Sequence, residues 1–192
     1  QQEQHYDSLT GLLKLSHFLQ TSRHLGGRNA TLVLVDLHHF REINDRFGIR
    51  IADRLLSQVA KRLQQLVPPR ALLCRVAADD FSLLLPDFNE PLQEWSQHLQ
   101  QQLMEHYQVE EHRIQIPVFL GLAQGKANDA ERLLSHAEAA LAQGKRQQQG
   151  APVQAYAAFK TAGRIAKVMS SHFWAGTFLY GRGEKKAAHT GR

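Results

Sequence analysis

Apolar residues near the start of the chain recur three and four positions apart. Leu12, Leu15, Phe18 and Leu19 follow Thr10 at that spacing, which predicts a helix capped by Thr10, running to about Leu25 and stopped by Gly26-Gly27. Thr31–Leu37 then forms an unbroken run of leucine, valine and threonine ahead of Asp36, the pattern of a strand buried on both faces. Helical periodicity returns over His39–Phe47, ending at Gly48. A longer helix is predicted at about Ile51–Leu66, with Ile51, Leu55, Leu56, Val59, Leu63 and Leu66 on one side and Pro68-Pro69 as its stop. Ala71–Val76 and Phe81–Leu85 are two apolar strands separated by a few residues, so the spacing predicts a tight hairpin with Asp79 and Asp80 at its tip.

Beyond the hairpin, a helix is predicted from about Pro91 to Tyr107, with proline suited to its first turn. Ile114–Ala123 reads as a strand in which Pro117 demands an edge position or a bulge. A helix over about Asp129–Gln143 and a short strand at Val153–Tyr156 complete the body. Helices interspersed with strands around a central hairpin predict an α+β fold, a mostly antiparallel central sheet flanked by helices, with no internal repeat.

Composition narrows the class. A chain of 192 residues with 43% apolar positions suits one globular domain, residues 1–157, with an appendage at 158–192. The apolar runs are too short to span a bilayer. No secretory leader is visible, and a single cysteine, Cys74, excludes an internal disulfide framework. Cys74 is expected as a small buried apolar residue within a strand. These features predict a cytoplasmic chain without a transmembrane segment. It opens on Gln1 rather than methionine, and the expectation is a piece of a longer protein with an upstream sensor or a downstream partner domain.

The net charge of +5 is unevenly spread. Residues 157–192 hold seven lysines and arginines against the single acid Glu184, which leaves the body close to neutral. The high isoelectric point therefore belongs to the tail, and no specific nucleic-acid binding is expected of the body. Tyr156–Ser170 interleaves Phe159, Ile165, Val168 and Met169 with three cations. Two readings stand: an amphipathic helix that docks on the body, anionic lipid or nucleic acid, or a linker. Gly181–Lys186 has the composition of a disordered segment.

The candidate chemistry lies in acids. Asp36 ends the most buried strand, where α/β folds commonly place ligand groups. If Thr31–Leu37 and Ala71–Val76 are neighbours, Asp36 faces Asp79 and Asp80. Three convergent carboxylates repel one another unless a cation such as Mg2+ intervenes. The alternative is that Asp36 caps the following helix and the hairpin acids are solvated turn residues. His38-His39 adjoin Asp36, but no third ligand stands at a spacing diagnostic of a transition metal, so they read as surface or helix-start histidines.

Five stretches, in order, resemble the GGDEF family of bacterial diguanylate cyclases. Asp7-Ser8-Leu9-Thr10-Gly11-Leu12 is similar to its opening D-x-L-T-G-L, and Asp36 through Gly48 to D-x-D-x-F-K-x-I-N-D-x-x-G. Asp53 falls on a guanine-reading acid, Arg75–Phe81 on R-x-G-G-[DE]-E-F, and Ala137–Lys145 on A-D-x-A-L-Y-x-A-K. The resemblance covers about residues 5–157 and implies a nucleotidyl-cyclase-like palm fold. It implies GTP as ligand, with two domains facing each other as a homodimer to make cyclic di-GMP. By position, Asp36 and Asp79 would ligate Mg2+ with the Leu37 carbonyl, and Asn44 and Asp53 would read the guanine edge. Arg41 and Lys145 would offset the triphosphate charge, Ala77 and Ala78 would lie against it, and Asp79 and Asp80 would hold the catalytic positions. The residues alone also allow solvated helix cations at Arg41 and Lys145, and helix caps at Asn44 and Asp53.

Departures from the family pattern are as informative. Ala77-Ala78 replaces a glycine pair whose freedom at positive φ suits such a turn, so strain of about 1 kcal/mol is expected there. Asp80 is one methylene shorter than the family's glutamate, a displacement of the size that can cost about a hundredfold in rate. His38 replaces the second acid of D-x-D, Ile49 and Ala52 a histidine and a glycine near the base, Gln149 an arginine, and Leu15 another arginine. The family's inhibitory product site, R-x-x-D, would fall on Pro68-Pro69-Arg70-Ala71 and is missing. The resemblance thus implies a degenerate, non-catalytic regulatory module that binds GTP beside a phosphodiesterase or sensor domain. A weakly active cyclase and a pure protein-interaction scaffold are the alternatives.

Overall fold

The computed structural model describes residues 4–148 and, by backbone alone, three strand segments at 156–161, 164–169 and 177–180. Its elements are β1 (Leu13–Lys14), α1 (Leu15–Arg23), β2 (Asn29–Leu37), α2 (Phe40–Phe47), α3 (Ile49–Leu66), β3 (Leu72–Ala77) and β4 (Asp80–Pro86). There follow α4 (Leu92–Met104), β5 (Tyr107–Val109), β6 (His112–Ile114), β7 (Val118–Lys126), α5 (Ala130–Gln148), β8 (Tyr156–Thr161), β9 (Arg164–Met169) and β10 (Thr177–Tyr180). One sheet has the order β1-β3-β4-β2-β7-β10-β8-β9, and β5-β6 form a separate hairpin. The ladders β3-β4, β4-β2, β2-β7 and β8-β9 are antiparallel; β1-β3, β7-β10 and β10-β8 are parallel.

β2 explains the layering. Alternate side chains of a strand leave on opposite faces, and both of its faces are buried. Val33 and Val35 join Leu55, Leu56, Val59 and Leu63 of α3 in one core, with Leu99 and Leu103 of α4. Leu32 and Leu34 join Phe18 of α1 and Leu133, Ala137 and Leu141 of α5 in the other. Gly121 in β7 lets α5 approach closely, because a Cβ there would press into the Ala137 carbonyl. Cys74 is fully buried, and burial pushes its thiol up to about 12, so it serves as an apolar residue.

Several expected boundaries move. Thr10 does not cap α1, whose N-cap is Lys14. The Thr10 amide and hydroxyl instead donate to Asp7 Oδ2 at 2.9 and 2.7 Å, and the Gly11 amide donates to the Asp7 carbonyl with Gly11 at φ +73°. This side-chain turn competes with a helical start and wins. Asp36 does not face Ala71–Val76 directly, since β4 lies between them. Strand β4 carries five consecutive buried residues and takes the central position, while half-buried β3 takes the outer one.

Helix α4 stops at Met104, where Arg62 donates to the carbonyls of Gln102, Glu105 and His106 and lies 3.7 Å over the Tyr107 ring. Those contacts turn the chain into β5. Sequence reading missed the β5-β6 hairpin because its turn holds Glu110 and Glu111 rather than glycine or asparagine; Arg54 reaches Glu110 at 2.5 Å and Arg50 pairs with it too. The strand expected at Ile114–Ala123 begins only at Val118, because Pro117 interrupts the ladder. Tyr156–Ser170 is not a helix: Tyr156–Thr161 and Arg164–Met169 pair as antiparallel strands, Phe159 opposite Ala166. Its phenylalanine, valine and isoleucine favour that state. The strand expected at Val153–Tyr156 lies outside the described residues up to Tyr156, as does Gly181–Lys186.

Candidate functional site

The sheet carries Asp36 and Asp80 to one end as direct cross-strand partners, Asp36 lying also opposite Phe119 of β7. The Leu37 amide donates to the Asp79 carbonyl at 3.1 Å, and the His38 amide to the Pro117 carbonyl at 2.8 Å, so the backbone around the acids is fastened on both sides. Asp36 is 7% exposed. Its carboxylate pairs with Lys145 Nζ from α5, and that ammonium also lies 5.8 Å from the centre of the Phe119 ring. One helix thereby supplies a cation to the acid at the end of the most buried strand.

Asp80 pays for this crowding. Burial first, then the Asp36 carboxylate opposite it and Asp79 beside it, push its pKa up to about 8, while Lys145 pulls the other way. Oδ1 of Asp80 is buried with no hydrogen-bond partner among the described residues. At neutral pH Asp80 is therefore held largely as the neutral acid. His38 packs edge-on to Phe119 at 4.6 Å and stacks on His39 at 3.8 Å. Burial, then the neighbouring His39 and Lys145, lower its pKa, so it stands neutral beside the cluster.

The hairpin tip closes differently from expectation. Neither Ala77 nor Ala78 adopts positive φ. The β3-β4 register instead shifts between Arg75 and Ala77, leaving Val76 as a bulge, and a bulge adds the local twist that a two-residue turn otherwise draws from glycine. The expected strain is thus absent; what the alanines add is two methyl groups on the turn. Arg75 fixes the tip. Its Nη2 and Nε donate to the Ala78 carbonyl at 2.9 and 3.3 Å, and its Nη1 contacts both Asp7 carboxylate oxygens at 3.2 Å. Burial opposes ionisation of Asp7, but the hydrogen bonds from Thr10 and the Arg75 guanidinium prevail and hold its pKa below the usual range. Sequence reasoning assigned no role to Asp7 or Arg75, although both stand in matched motifs, and the Asp7–Arg75 contact joins the first motif to the fourth.

The remaining candidates lie on α2 and α3. Arg41 is exposed, and Asn44 and Asp53 are half-buried. None of their side chains bonds to the carboxylate cluster among the described residues. Asn44 does not act as a side-chain cap; its carbonyl accepts from the Gly48 amide at 2.9 Å. His39 adopts φ 61° and pairs with Glu42 at 3.2 Å. Among the described residues no group of three or more His, Cys, Asp or Glu is gathered as a ready-made metal site. Mg2+ asks for less: one or two carboxylates, with waters and substrate phosphates completing its shell. Asp36, Asp79 and the Leu37 carbonyl suit it in chemical type, and the orphaned Asp80 oxygen marks unspent acceptor capacity beside them.

Comparison with known proteins places this geometry. The family described as diguanylate cyclase, GGDEF domain, matches residues 4–151. Diguanylate cyclase DgcP of Escherichia coli (strain K12) is 30% identical over 163 residues, 79% of this chain and 48% of that protein. Signaling protein YkoW of Bacillus subtilis (strain 168) is 30% identical over 128 residues, 62% of this chain and 16% of that protein. The chain thus spans less than half the length of either relative. A solved diguanylate cyclase/phosphodiesterase from Caldicellulosiruptor saccharolyticus shares the fold, with a TM-score of 0.70 at 17% identity, covering 85% of this chain and 97% of that one. With that family model spanning residues 4–151 and the fold shared, the chain belongs to the GGDEF diguanylate cyclase domain family.

Proposed function

We propose that this domain is a non-catalytic regulatory module of cyclic di-GMP signalling, one that binds GTP with Mg2+ and conveys its occupancy to a neighbouring domain. One observation carries the reading: the hairpin sets Asp80 opposite Asp36 and fastens the Asp79 carbonyl to the Leu37 amide, but it presents alanine methyls and a short, largely neutral Asp80. Asp36, Asp79 and the Leu37 carbonyl would hold the metal, which supplies positive charge against the phosphates. Asn44 and Asp53 offer the amide and carboxylate that match a guanine edge. Lys145, which pairs with Asp36, and Arg41 would supply cations for the triphosphate. Ala77 and Ala78 keep phosphate from the close backbone approach that glycine permits. Asp80 is too short to take the place of a glutamate, and a misplacement of about 1 Å is enough to cost roughly a hundredfold in rate.

The neighbouring domain that best fits is a phosphodiesterase, the second activity in the name of the Caldicellulosiruptor saccharolyticus protein of the same fold. Titration calorimetry with GTP and Mg2+ tests the reading. Saturable binding that Asn44→Ala or Asp53→Ala abolishes is expected. Absence of binding at millimolar GTP would remove the nucleotide-sensing role and leave a scaffold.

A further inference from the structure

The sheet has a second end, and it carries a cavity. About 440 Å³ opens between the start of β2, the end of β7 and the first turns of α5. That volume lies within the range of small-molecule sites, roughly 300–1,000 Å³. Asn29 and Asp36 are seven residues apart on one strand, which puts the cavity about 23 Å from the carboxylate cluster at 3.3 Å per residue. It also contains none of Pro68–Ala71, so it is separate from the position of the missing R-x-x-D motif.

The lining is basic. Lys126, Arg132 and His136 face the space against one acid, Asp129, and Phe88 closes an apolar side. The cations are positioned by their neighbours. Lys126 Nζ donates to Asn29 Oδ1 at 2.8 Å, which fixes the ammonium at the rim and leaves two of its three N–H groups for a ligand. Arg132 stands 3.9 Å from Asp129, beyond hydrogen-bond range, with both side chains about half exposed. That pair gains little from its attraction, so a stronger anion can displace Asp129 at small cost. A guanidinium and an ammonium across one cavity suit a phosphate: arginine through its planar fork, lysine as a point charge.

We infer that this cavity binds a small phosphorylated ligand at a site distinct from, and independent of, the nucleotide site proposed above. The ligand is held by Arg132 and Lys126, with Asn29 orienting the lysine.

Pyrophosphate, added without Mg2+ to the 15N-labelled chain, is the probe. Omitting the metal keeps the acid-rich end of the sheet unattractive to an anion. Saturable amide shifts centred on Gln124–Leu133 are expected, with the cluster at Asp36 and Ala78 unmoved. Arg132→Glu and Lys126→Glu, both at exposed positions, should each weaken binding at least tenfold, and the milder Arg132→Gln should weaken it with an otherwise unchanged spectrum. Shifts that never saturate, that centre on Asp36 and the hairpin, or that survive the charge reversals would overturn the assignment.

Discussion

Asp80 gives the sharpest physical prediction. Replacing it by asparagine keeps the shape and removes the charge. In the folded chain its pKa is pushed up to about 8, against an ordinary carboxyl near 3.8. Between those two pH values the native state keeps a proton that the unfolded chain has released. Unfolding therefore releases a proton, and stability falls as pH rises through that window, the loss being complete above about 8. Each tenfold change in proton affinity is worth about 1.4 kcal/mol, so the whole span sets a ceiling of about 6 kcal/mol. The group is partly open to solvent, which brings a realistic figure to about 2 kcal/mol. Urea unfolding of wild type and Asp80→Asn, free of metal and nucleotide, reads the effect. The variant should gain on wild type by about 2 kcal/mol between pH 5 and pH 8.5, or about 1 M in midpoint at an m-value of about 2 kcal/mol/M. A gap that stays constant across that range, or a variant less stable than wild type at pH 8.5, would refute the account of the buried acid.

Three further outcomes follow from the packing. Lys145→Met leaves Asp36 buried beside an apolar side chain and should cost about 3 kcal/mol at neutral pH, with most of it recovered in the Asp36→Asn, Lys145→Met double variant; a double-mutant cycle in urea measures it. Arg75→Ala removes the bonds to Asp7 and the Ala78 carbonyl and should cost about 2–3 kcal/mol, with faster hydrogen exchange at the Leu37 amide that donates to Asp79. Gly121→Ala drives a methyl into the Ala137 carbonyl and to 3.2 Å from Leu141 Cβ, overpacking worth about 1–3 kcal/mol, and a thermal melt should fall by about 2–12 °C.

The parts of this fold that are legible in the sequence are those where one periodicity dominates. β2 announces itself by an unbroken apolar run, and its burial on two faces follows. α3 shows its inward stripe, and Pro68-Pro69 marks its end within a residue or two. Elements held by particular side chains are less legible. The Asp7–Thr10 turn replaces a helical start through two hydrogen bonds. The β5-β6 hairpin turns on Glu110 at φ 54°, gripped by arginines more than fifty residues earlier. Such long-range pairings leave no local pattern.

The site divides in the same way. Motif register identifies Asp36, Asp79, Asp80 and Lys145, and the fold brings them together at one end of the sheet. It does not reveal that β4 puts Asp80 directly opposite Asp36, nor that a bulge at Val76 spares the alanines a strained φ. Both depend on strand order and register, which the hairpin's own residues do not encode.

The central claim is retention of GTP without turnover, and equilibrium dialysis of the purified chain against GTP and Mg2+ tests it most directly, with nucleotides on the protein side resolved by chromatography. The account predicts an excess of intact GTP bound near one equivalent per chain and no cyclic di-GMP. Accumulation of cyclic di-GMP, or no excess of GTP at millimolar concentration, would contradict it.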